Sequence, residues 1–395
     1  MSKSIIADVV LGLQHGDEGK GKVTHHLLKS GEYNYCLRFN GGGNAGHTIY
    51  HEGKKYVTHY IPSGVFHGIK SIIGPGCVVD LDKLEQEIQE LEDGGVNVCD
   101  FLFIDKRTHI TTAQHIEEAS QDSKKDWTEA AIGTTKSGNG PTYRDKYARG
   151  NLTFDIWLDT QVKTIETVNL IDPTIPENES ANKFYNQLIK QRMQDNHDKW
   201  IPFLIDTFEE FHDGKLKTIL CEGAQGFELD IDWGDYPYVT SSHCGVGSAV
   251  LNGIPPKSIR NVYGVIKAYE TYVGAKAFQN ENEVCKLFQV LGEEFGATTG
   301  RLRQTDFLHL PRLIRAIKMN SVSHLIVNKC DIFEQACKEI NKYPLFSVRG
   351  TMNPEYLAEP FLQFQSFQDW KTDIQNTVMP LGVNKIFFSS SPYEI

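Results

Sequence analysis

The chain has 395 residues, 40% hydrophobic and 23% charged, which is enough apolar material for a large buried core and unlike a disordered or fibrous composition. A formal net charge of −11 argues against nonspecific nucleic-acid binding, which calls for a basic surface. No apolar run approaches the roughly 18 residues of a membrane helix, and the opening MSKSIIADVV lacks a signal-length apolar stretch, so neither export nor a membrane anchor is expected. The cysteines (Cys36, Cys77, Cys99, Cys221, Cys244, Cys285, Cys330 and Cys337) are scattered without a C-x-x-C pair and lie mostly in apolar surroundings. This predicts buried reduced thiols rather than disulfides or zinc ligands, and a cytoplasmic location.

In chain order, Ile5 to Leu13 reads as a buried strand that runs directly into His15-Gly16-Asp17-Glu18-Gly19-Lys20-Gly21-Lys22, and a helix begins near Lys20 and ends before Gly31. The glycines let the backbone turn tightly and bring amides close to an anion, while Lys20 and Lys22 add positive charge. Gly16-x-x-x-x-Gly21-Lys22 satisfies the first half of a P-loop pattern, but Val23 stands where a Ser or Thr hydroxyl would hold magnesium. A carboxylate beside a polyphosphate is repelled unless a cation lies between them or the acid has chemical work to do. Asp17 is therefore a candidate metal ligand, general base, or both.

Further along, Tyr35 to Asn40 forms a second strand leading into Gly41-Gly42-Gly43-Asn44-Ala45-Gly46-His47-Thr48, and Thr48 to His59 alternates about Glu52-Gly53 as a hairpin does. Leu81, Leu84, Ile88 and Leu91 mark one helical face, stopped by Gly94-Gly95. The stretch from about 151 to 215 is polar and helix-like and reads as a helical insertion. Thr218 to Glu222 and Val262 to Tyr269 read as strands, Leu310 to Met319 as a helix, His324 to Val327 as a strand and Lys385 to Phe388 as the last strand. The alternation predicts an α/β fold with a mainly parallel central sheet, helices on both faces and a P-loop-like nucleotide site. Motifs near both ends and in the middle favour one elaborated domain spanning 1–395.

Asn328-Lys329-Cys330-Asp331 falls at the C-terminal end of a strand, where α/β sheets bind ligands. N-K-x-D there reads guanine: the aspartate accepts from N1–H and the 2-amino group together, and adenine would leave it unpaired. Ser389-Ser390-Ser391 follows the final strand and can close the base pocket from the other side. A phosphate loop with a guanine reader fits either a GTP-binding switch or an enzyme that consumes GTP. Several further loops exceed what a switch requires: Ile132-Gly133-Thr134-Thr135-Lys136-Ser137-Gly138-Asn139-Gly140-Pro141 with Arg149, Glu222-Gly223-Ala224-Gln225-Gly226, Tyr236-Pro237-Tyr238-Val239-Thr240-Ser241-Ser242, and Gly296-Ala297-Thr298-Thr299-Gly300-Arg301-Leu302-Arg303. Each offers amides, hydroxyls or guanidinium groups suited to anions.

Taken in order, G-D-E-G-K-G-K, N-A-G-H-T, I-G-T-T-x-x-G-x-G-P, E-G-A-Q-G, Y-P-Y-V-T-S-S, G-A-T-T-G-R and K-x-D resemble the adenylosuccinate synthetase family over most of the chain, least at 151–215 and after 335. The resemblance implies a GTP- and magnesium-dependent homodimeric ligase that joins L-aspartate to C6 of IMP through a 6-phosphoryl intermediate. It implies that Asp17 removes the N1 proton and contacts magnesium with the Gly46 carbonyl, and that His47 is the general acid. Lys20 would stabilise the transferring phosphoryl group and Gln225 would bond the purine 6-position. GTP contacts fall on Gly16, Glu18, Gly19, Lys20, Gly21, Lys22, Thr48, Arg303, Asn328, Lys329, Asp331, Ser389 and Ser391. The purine nucleotide falls to Asn44, Ala45, Thr134, Thr135, Gln225, Thr240, Val273 and Arg301, with Arg149 reaching in from the other subunit. Aspartate falls to Ala297, Thr298, Thr299, Gly300 and Arg301, where a guanidinium can grip a carboxylate bidentately.

The chain also departs from the family pattern. His15 replaces a tryptophan, His25 sits where an aspartate is common, Tyr272 stands for an arginine, and Lys276-Ala277-Phe278-Gln279 replaces G-P-F-P. Leu302 and Gln304 interrupt an arginine run, and Ser391 replaces a glycine. Several of these border the purine pocket. A related viral branch that makes 2,6-diaminopurine nucleotides joins aspartate to dGMP, which offers the same O6 and N1–H. Those enzymes typically lack the acid that this chain keeps as Asp17, which puts IMP ahead of dGMP.

Overall fold

The computed structural model describes residues 4–121, 133–170, 180–296, 300–339, 343–345, 362–364 and 366–395, with the main chain alone at 166–170, 180–186, 343–345 and 362–364. Nine strands build the central sheet: β1 (Ile5–Gly12), β2 (Tyr35–Arg38), β3 (Lys70–Ile73), β4 (Leu102–Asp105), β5 (Leu204–Ile205), β6 (Lys217–Gly226), β7 (Ile259–Lys267), β8 (His324–Asn328) and β9 (Lys385–Phe388). Their order across the sheet is β9-β8-β7-β1-β6-β2-β3-β4-β5. Every pairing between them is parallel, so the sheet is more uniform than the mainly parallel one expected.

Burial explains this layout. In β1 every residue but Ile6 is buried, as a strand covered on both faces requires. Val9 and Leu11 pack into a core shared with Leu313 and Ile317 of helix Leu310–Asn320, whereas Val10 packs with Val23 and Leu28 of helix Lys20–Leu28. Helices thus cover both faces, as the alternation of elements implies. The first-half helix Leu81–Asp93 begins at Asp80, whose side chain accepts from the amides of Asp82 and Lys83, and it buries Leu84 and Leu91 beside β3 and β4.

Two expectations need correction. The segment 151–215 does contain helices Phe154–Leu170 and Ser180–Trp200, but it is not purely an insertion, because Leu204–Ile205 pairs with β4 as the ninth strand. A two-residue strand carries no readable periodicity. Val262 to Tyr269 is not one strand either: β7 ends at Lys267, Ala268 donates to the Asn328 carbonyl at 2.9 Å, and Tyr269–Tyr272 turns away to pair antiparallel with Gln304–Phe307. The remaining strand and helix expectations lie within a few residues of the observed elements, including the hairpin His47–His51 with Lys54–Thr58. All the cysteines are free thiols and all but Cys99, which is exposed, are buried. Among the described residues no helix is long and apolar enough to cross a membrane.

The topology positions the site. The chain leaves β1 toward β2 on one side and later returns to lay β7 on the other, with β6 inserted beside β1. The C-terminal end of β1 is therefore the crevice of the sheet, flanked by Gln225 near the end of β6 and Lys267 at the end of β7.

Candidate active site

A cleft of about 1010 Å³ opens over this crevice. It is lined by the whole run His15 to Lys22, by Asn44 to Thr48, by Gly133 to Thr135, by Gln225, Leu229 and Thr240, by Tyr272, Val273 and Arg303, and by Asn328, Lys329, Asp331 and Ser391. Residues up to 376 positions apart in the sequence thus meet on one surface.

The phosphate loop is held from within. Glu18 is buried and its Oε1 accepts from the amides of Gln14 at 3.1 Å and Gly16 at 2.9 Å, while Oε2 pairs with Lys20 Nζ at 2.6 Å. Removing a carboxylate from water costs several kcal/mol, roughly, unless paired and hydrogen-bonded, and these donors supply the compensation. Gly19 caps the helix at φ +92°, a region side chains rarely enter, and a Cβ on Gly21 would meet His47 Cβ at 2.8 Å. The second glycine requirement is thus a packing one: α1, as the helix Lys20–Leu28 is named here, lies directly against the strand that carries His47.

Asp17 itself sits at φ +60°, and Gln225, Lys329 and Arg149 share that left-handed conformation. Four of the candidate site residues therefore hold a backbone geometry that non-glycine residues adopt only when their surroundings over-determine it. Asp17 Oδ2 accepts from Arg303 Nε at 2.7 Å. His47 Nδ1 is hydrogen-bonded to the fully buried carboxylate of Glu222, whose other oxygen accepts from the Ser63 amide at 2.8 Å. Burial lowers the His47 pKa, with Glu222 opposing; burial would raise Glu222, but His47 and the Ser63 amide hold it below the usual carboxylate range. The buried His47 Nε2 has no hydrogen-bond partner among the described residues.

The tetrapeptide Asn328-Lys329-Cys330-Asp331 is joined to the glycine loop: Asn328 Nδ2 donates to the Glu18 carbonyl at 2.7 Å. Lys329 Nζ donates to the Gly292 carbonyl at 2.9 Å, and Asp331 lies exposed in the first turn of helix Cys330–Glu339, facing the cleft. Lys22 Nζ donates to Ser389 Oγ at 2.8 Å, the Ser391 carbonyl at 2.9 Å and the Glu394 carbonyl at 3.2 Å, which draws the serine run to this end of the cleft. Burial lowers the Lys22 pKa to about 8.

Opposite, a polar chain links the purine-side residues. Asn44 Oδ1 accepts from Gln225 Nε2 at 2.9 Å and from Asn139 Nδ2 at 2.6 Å, and Asn44 Nδ2 donates to Thr240 Oγ1 at 3.4 Å. Thr135 and Ser137 hydroxyls lie 2.7 Å apart. Arg301 Nη2 donates to the Thr134 carbonyl at 3.3 Å, tying Arg301 to the Gly133–Thr135 loop. Ala297, Thr298 and Thr299 lie outside the described residues. Gly300 and Arg301 are exposed and do not line the cleft, and neither does Arg149, which is exposed at the C-terminus of helix Asn139–Ala148.

Four of the departures from the family pattern, His15, Tyr272, the 276–279 stretch and Gln304, form one wall. The His15 ring packs edge-on to Phe278 and Tyr272, at 4.9 Å and 5.6 Å between ring centres, and its Nδ1 meets Glu270 at 3.0 Å. Lys276 pairs with Asp235, and Gln304 accepts from the amides of Phe278 and Gln279 while donating to the carbonyls of Gly274 and Lys276. Each residue of this wall is thus packed against or bonded to a neighbour in it. Sequence reasoning did not single out Glu222, Lys267, Glu294 or Asn139 as functional side chains. Only Glu222 and Asn139 carried a signal, as members of quoted motifs.

The adenylosuccinate synthetase profile matches residues 9–380, nearly the whole chain. The chain belongs to the adenylosuccinate synthetase family. Adenylosuccinate synthetases of Candida tropicalis and Cytophaga hutchinsonii are 36% and 40% identical to it, over 93% of this chain and 90% and 88% of theirs. The fully ligated adenylosuccinate synthetase of Plasmodium falciparum superposes with a TM-score of 0.76 at 27% identity, covering 99% of this chain and 98% of that one. The succinoaminodeoxyadenylate synthetase of cyanophage S-2L, solved with dGMP and dATP, shares the fold at a TM-score of 0.65 and 17% identity, over 99% and 94% of the two chains. The adenylosuccinate synthetase fold is therefore present from end to end.

Proposed function

We infer that the chain is a ligase that joins L-aspartate to C6 of IMP at the expense of GTP, giving adenylosuccinate, GDP and phosphate. The observation that carries this reading is the convergence in one cleft of an acid within a phosphate loop, a carboxylate-backed histidine and a guanine-reading tetrapeptide bonded to that loop.

A lactam oxygen is a poor leaving group, so O6 must be phosphorylated before an amine displaces it. Asp17 takes the N1 proton, and O6 then attacks the γ-phosphorus. Gln225 supports the charge on O6, and Lys20 with the loop amides stabilises the transferring phosphoryl group. His47 gives its Nε2 proton to the phosphate oxygen on which GDP leaves. Glu222 holds Nδ1 and favours the imidazolium, and an arriving polyphosphate adds negative charge in the same sense. Asp331 and Asn328 select guanine, with Ser389, Ser391 and Lys22 closing that end. Asn44, Thr135 and Thr240 take the nucleotide phosphate, and Arg301 with the 297–300 loop takes the aspartate carboxylates.

Magnesium fits the donors present. Asp17 offers a carboxylate and Gly46 a main-chain carbonyl on the same cleft, both hard oxygens, and among the described residues no larger His, Cys, Asp or Glu cluster is gathered. When bound, the ion neutralises charge on the phosphate oxygens. The exposed Arg149, outside its own cleft, suits a homodimer in which it serves the partner's site, and the buried free thiols suit the cytoplasm. Initial-rate assays omitting one component at a time test the reading. Product and phosphate should appear only with GTP, IMP, aspartate and magnesium together, whereas slow GTP hydrolysis indifferent to aspartate contradicts it and returns the GTP-switch alternative.

A further inference from the structure

At the wall of the cleft, Lys267 and Arg303 meet a buried carboxylate, Glu294, that none of the roles above uses. Glu294 is fully buried, directly before the loop that leads to Arg301. Its Oε2 accepts from Lys267 Nζ at 2.8 Å and from Arg303 Nη1 at 2.6 Å, and its Oε1 accepts from Tyr269 Oη at 2.6 Å. The Arg303 amide also donates to the Glu294 carbonyl at 2.8 Å. Main chain and side chain of Arg303 are thus both tied to this one residue. Burial opposes ionisation of Glu294, yet the cations around it hold its pKa down to about 2. Lys267 in turn is joined to the phosphate loop, since its amide donates to Gln14 Oε1 at 2.8 Å and Gln14 Nε2 returns to its carbonyl at 3.3 Å.

We propose that Glu294 is a positioning residue for phosphoryl transfer: it fixes the Arg303 guanidinium so that Nε rests on Asp17 and the rest of the group faces the incoming phosphates. The charges balance as two carboxylates, Asp17 and Glu294, against Arg303 and Lys267, in a wall where an unbalanced charge is costly. A guanidinium anchored through Nη1 and the main chain has little freedom except rotation about that anchor. An anion arriving at the glycine loop therefore meets a cation already in place, and Arg303 is available to it as its hold on Asp17 is exchanged for phosphate oxygens. Preorganised charge of this kind acts on the transition state more than on substrate binding. The inference rests on the ligase reading above.

Two variants separate positioning from plain charge balance. Glu294→Asp keeps the charge but withdraws the oxygens by one methylene. The double variant Lys267→Met with Glu294→Gln removes both members of the buried pair, so that neutrality is kept while Arg303 loses its anchor. Circular dichroism and thermal melting establish that each is folded. Exchange of an 18O label between the β,γ-bridge and β-nonbridge positions of GTP, with IMP present and aspartate absent, reads the phosphoryl-transfer step by itself. Both variants should exchange label more slowly than the unmodified enzyme, roughly 100-fold for Glu294→Asp and at least about tenfold for the double variant, where only the ionic part of the anchor is lost, with kcat lowered alike and KM for IMP changed less than about threefold. A folded double variant with unmodified exchange, or either variant with raised KM for IMP and unchanged kcat, overturns the proposal. If the unmodified enzyme makes no adenylosuccinate, the parent reading falls and this one with it.

Discussion

The two ends of the cleft are built differently. At the phosphate-loop end Glu18, Lys20, His47, Glu222, Lys267, Glu294 and Asn328 are all buried, and each has a hydrogen-bonding partner from another part of the loop or sheet. At the other end Thr135, Lys136, Gly300, Arg301 and Leu302 are exposed, and Arg301 Nη2 reaches the Thr134 carbonyl of the facing loop at 3.3 Å. Burial within a hydrogen-bonded network makes a group costly to move, while exposed loops carry less penalty for rearranging. The buried end suits phosphoryl transfer, which depends on fixed charge.

Variants at the two ends should accordingly differ in kind. Asp17→Asn removes the base while leaving a side chain that Arg303 can still meet, and kcat should fall by about 10³-fold or more with melting little altered. Substantial residual turnover in the initial-rate assay takes the base role away from Asp17. Glu222→Gln should lower kcat roughly 100-fold, because the amide no longer favours the imidazolium, and KM values should hold. Asp331→Asn is expected to raise the KM for GTP about 10- to 100-fold and to relax discrimination against ITP, which an unchanged nucleotide preference in competition assays contradicts. At the margin, Arg301→Ala should raise the KM for aspartate by about tenfold with no change in melting temperature, since the side chain is exposed. Equal loss of melting temperature at both ends removes the contrast.

The smallest effect concerns a histidine cluster beside α1. His25 Nδ1 and His67 Nε2 lie 3.0 Å apart, and burial lowers their pKa values to about 3 and about 4. Both imidazoles are then neutral when folded but protonate near pH 6.5 when unfolded. The unfolded chain binds more protons below that value, so stability is complete above pH 6.5 and declines as pH falls toward 4. The melting temperature should drop between pH 7 and 5, and less steeply in His25→Asn, where one of the two paired imidazoles is gone. Identical slopes exclude the pair as a source of the decline.

Much of the fold was legible because its signals are local. The glycine run after an apolar strand, the N-K-x-D after another and the Glu52-Gly53 hairpin all depend on neighbours in sequence, and each lies where it was read. The two-residue strand Leu204–Ile205 was not legible, since only its pairing with β4 makes it a strand. The same reasoning separates site residues. Asp17 and Lys20 could be read from the loop itself, but Glu222 meets His47 across 175 positions and Arg303 meets Asp17 across 286. Those encounters are created by the placement of β1 between β6 and β7, which no stretch of sequence states. The wall of His15, Tyr272 and Gln304 around Phe278 teaches a related lesson: read singly these three look like erosion of a pattern, whereas in space they are neighbours gathered on one phenylalanine and its loop.

The central claim is the identity of the acceptor, and a mass-resolved end-point assay tests it directly. Purified protein with magnesium, GTP and aspartate is offered IMP and dGMP in parallel. A succinyl adduct of IMP should form, with dGMP recovered unchanged; an adduct of dGMP alone, or of neither nucleotide, rules out IMP as the acceptor.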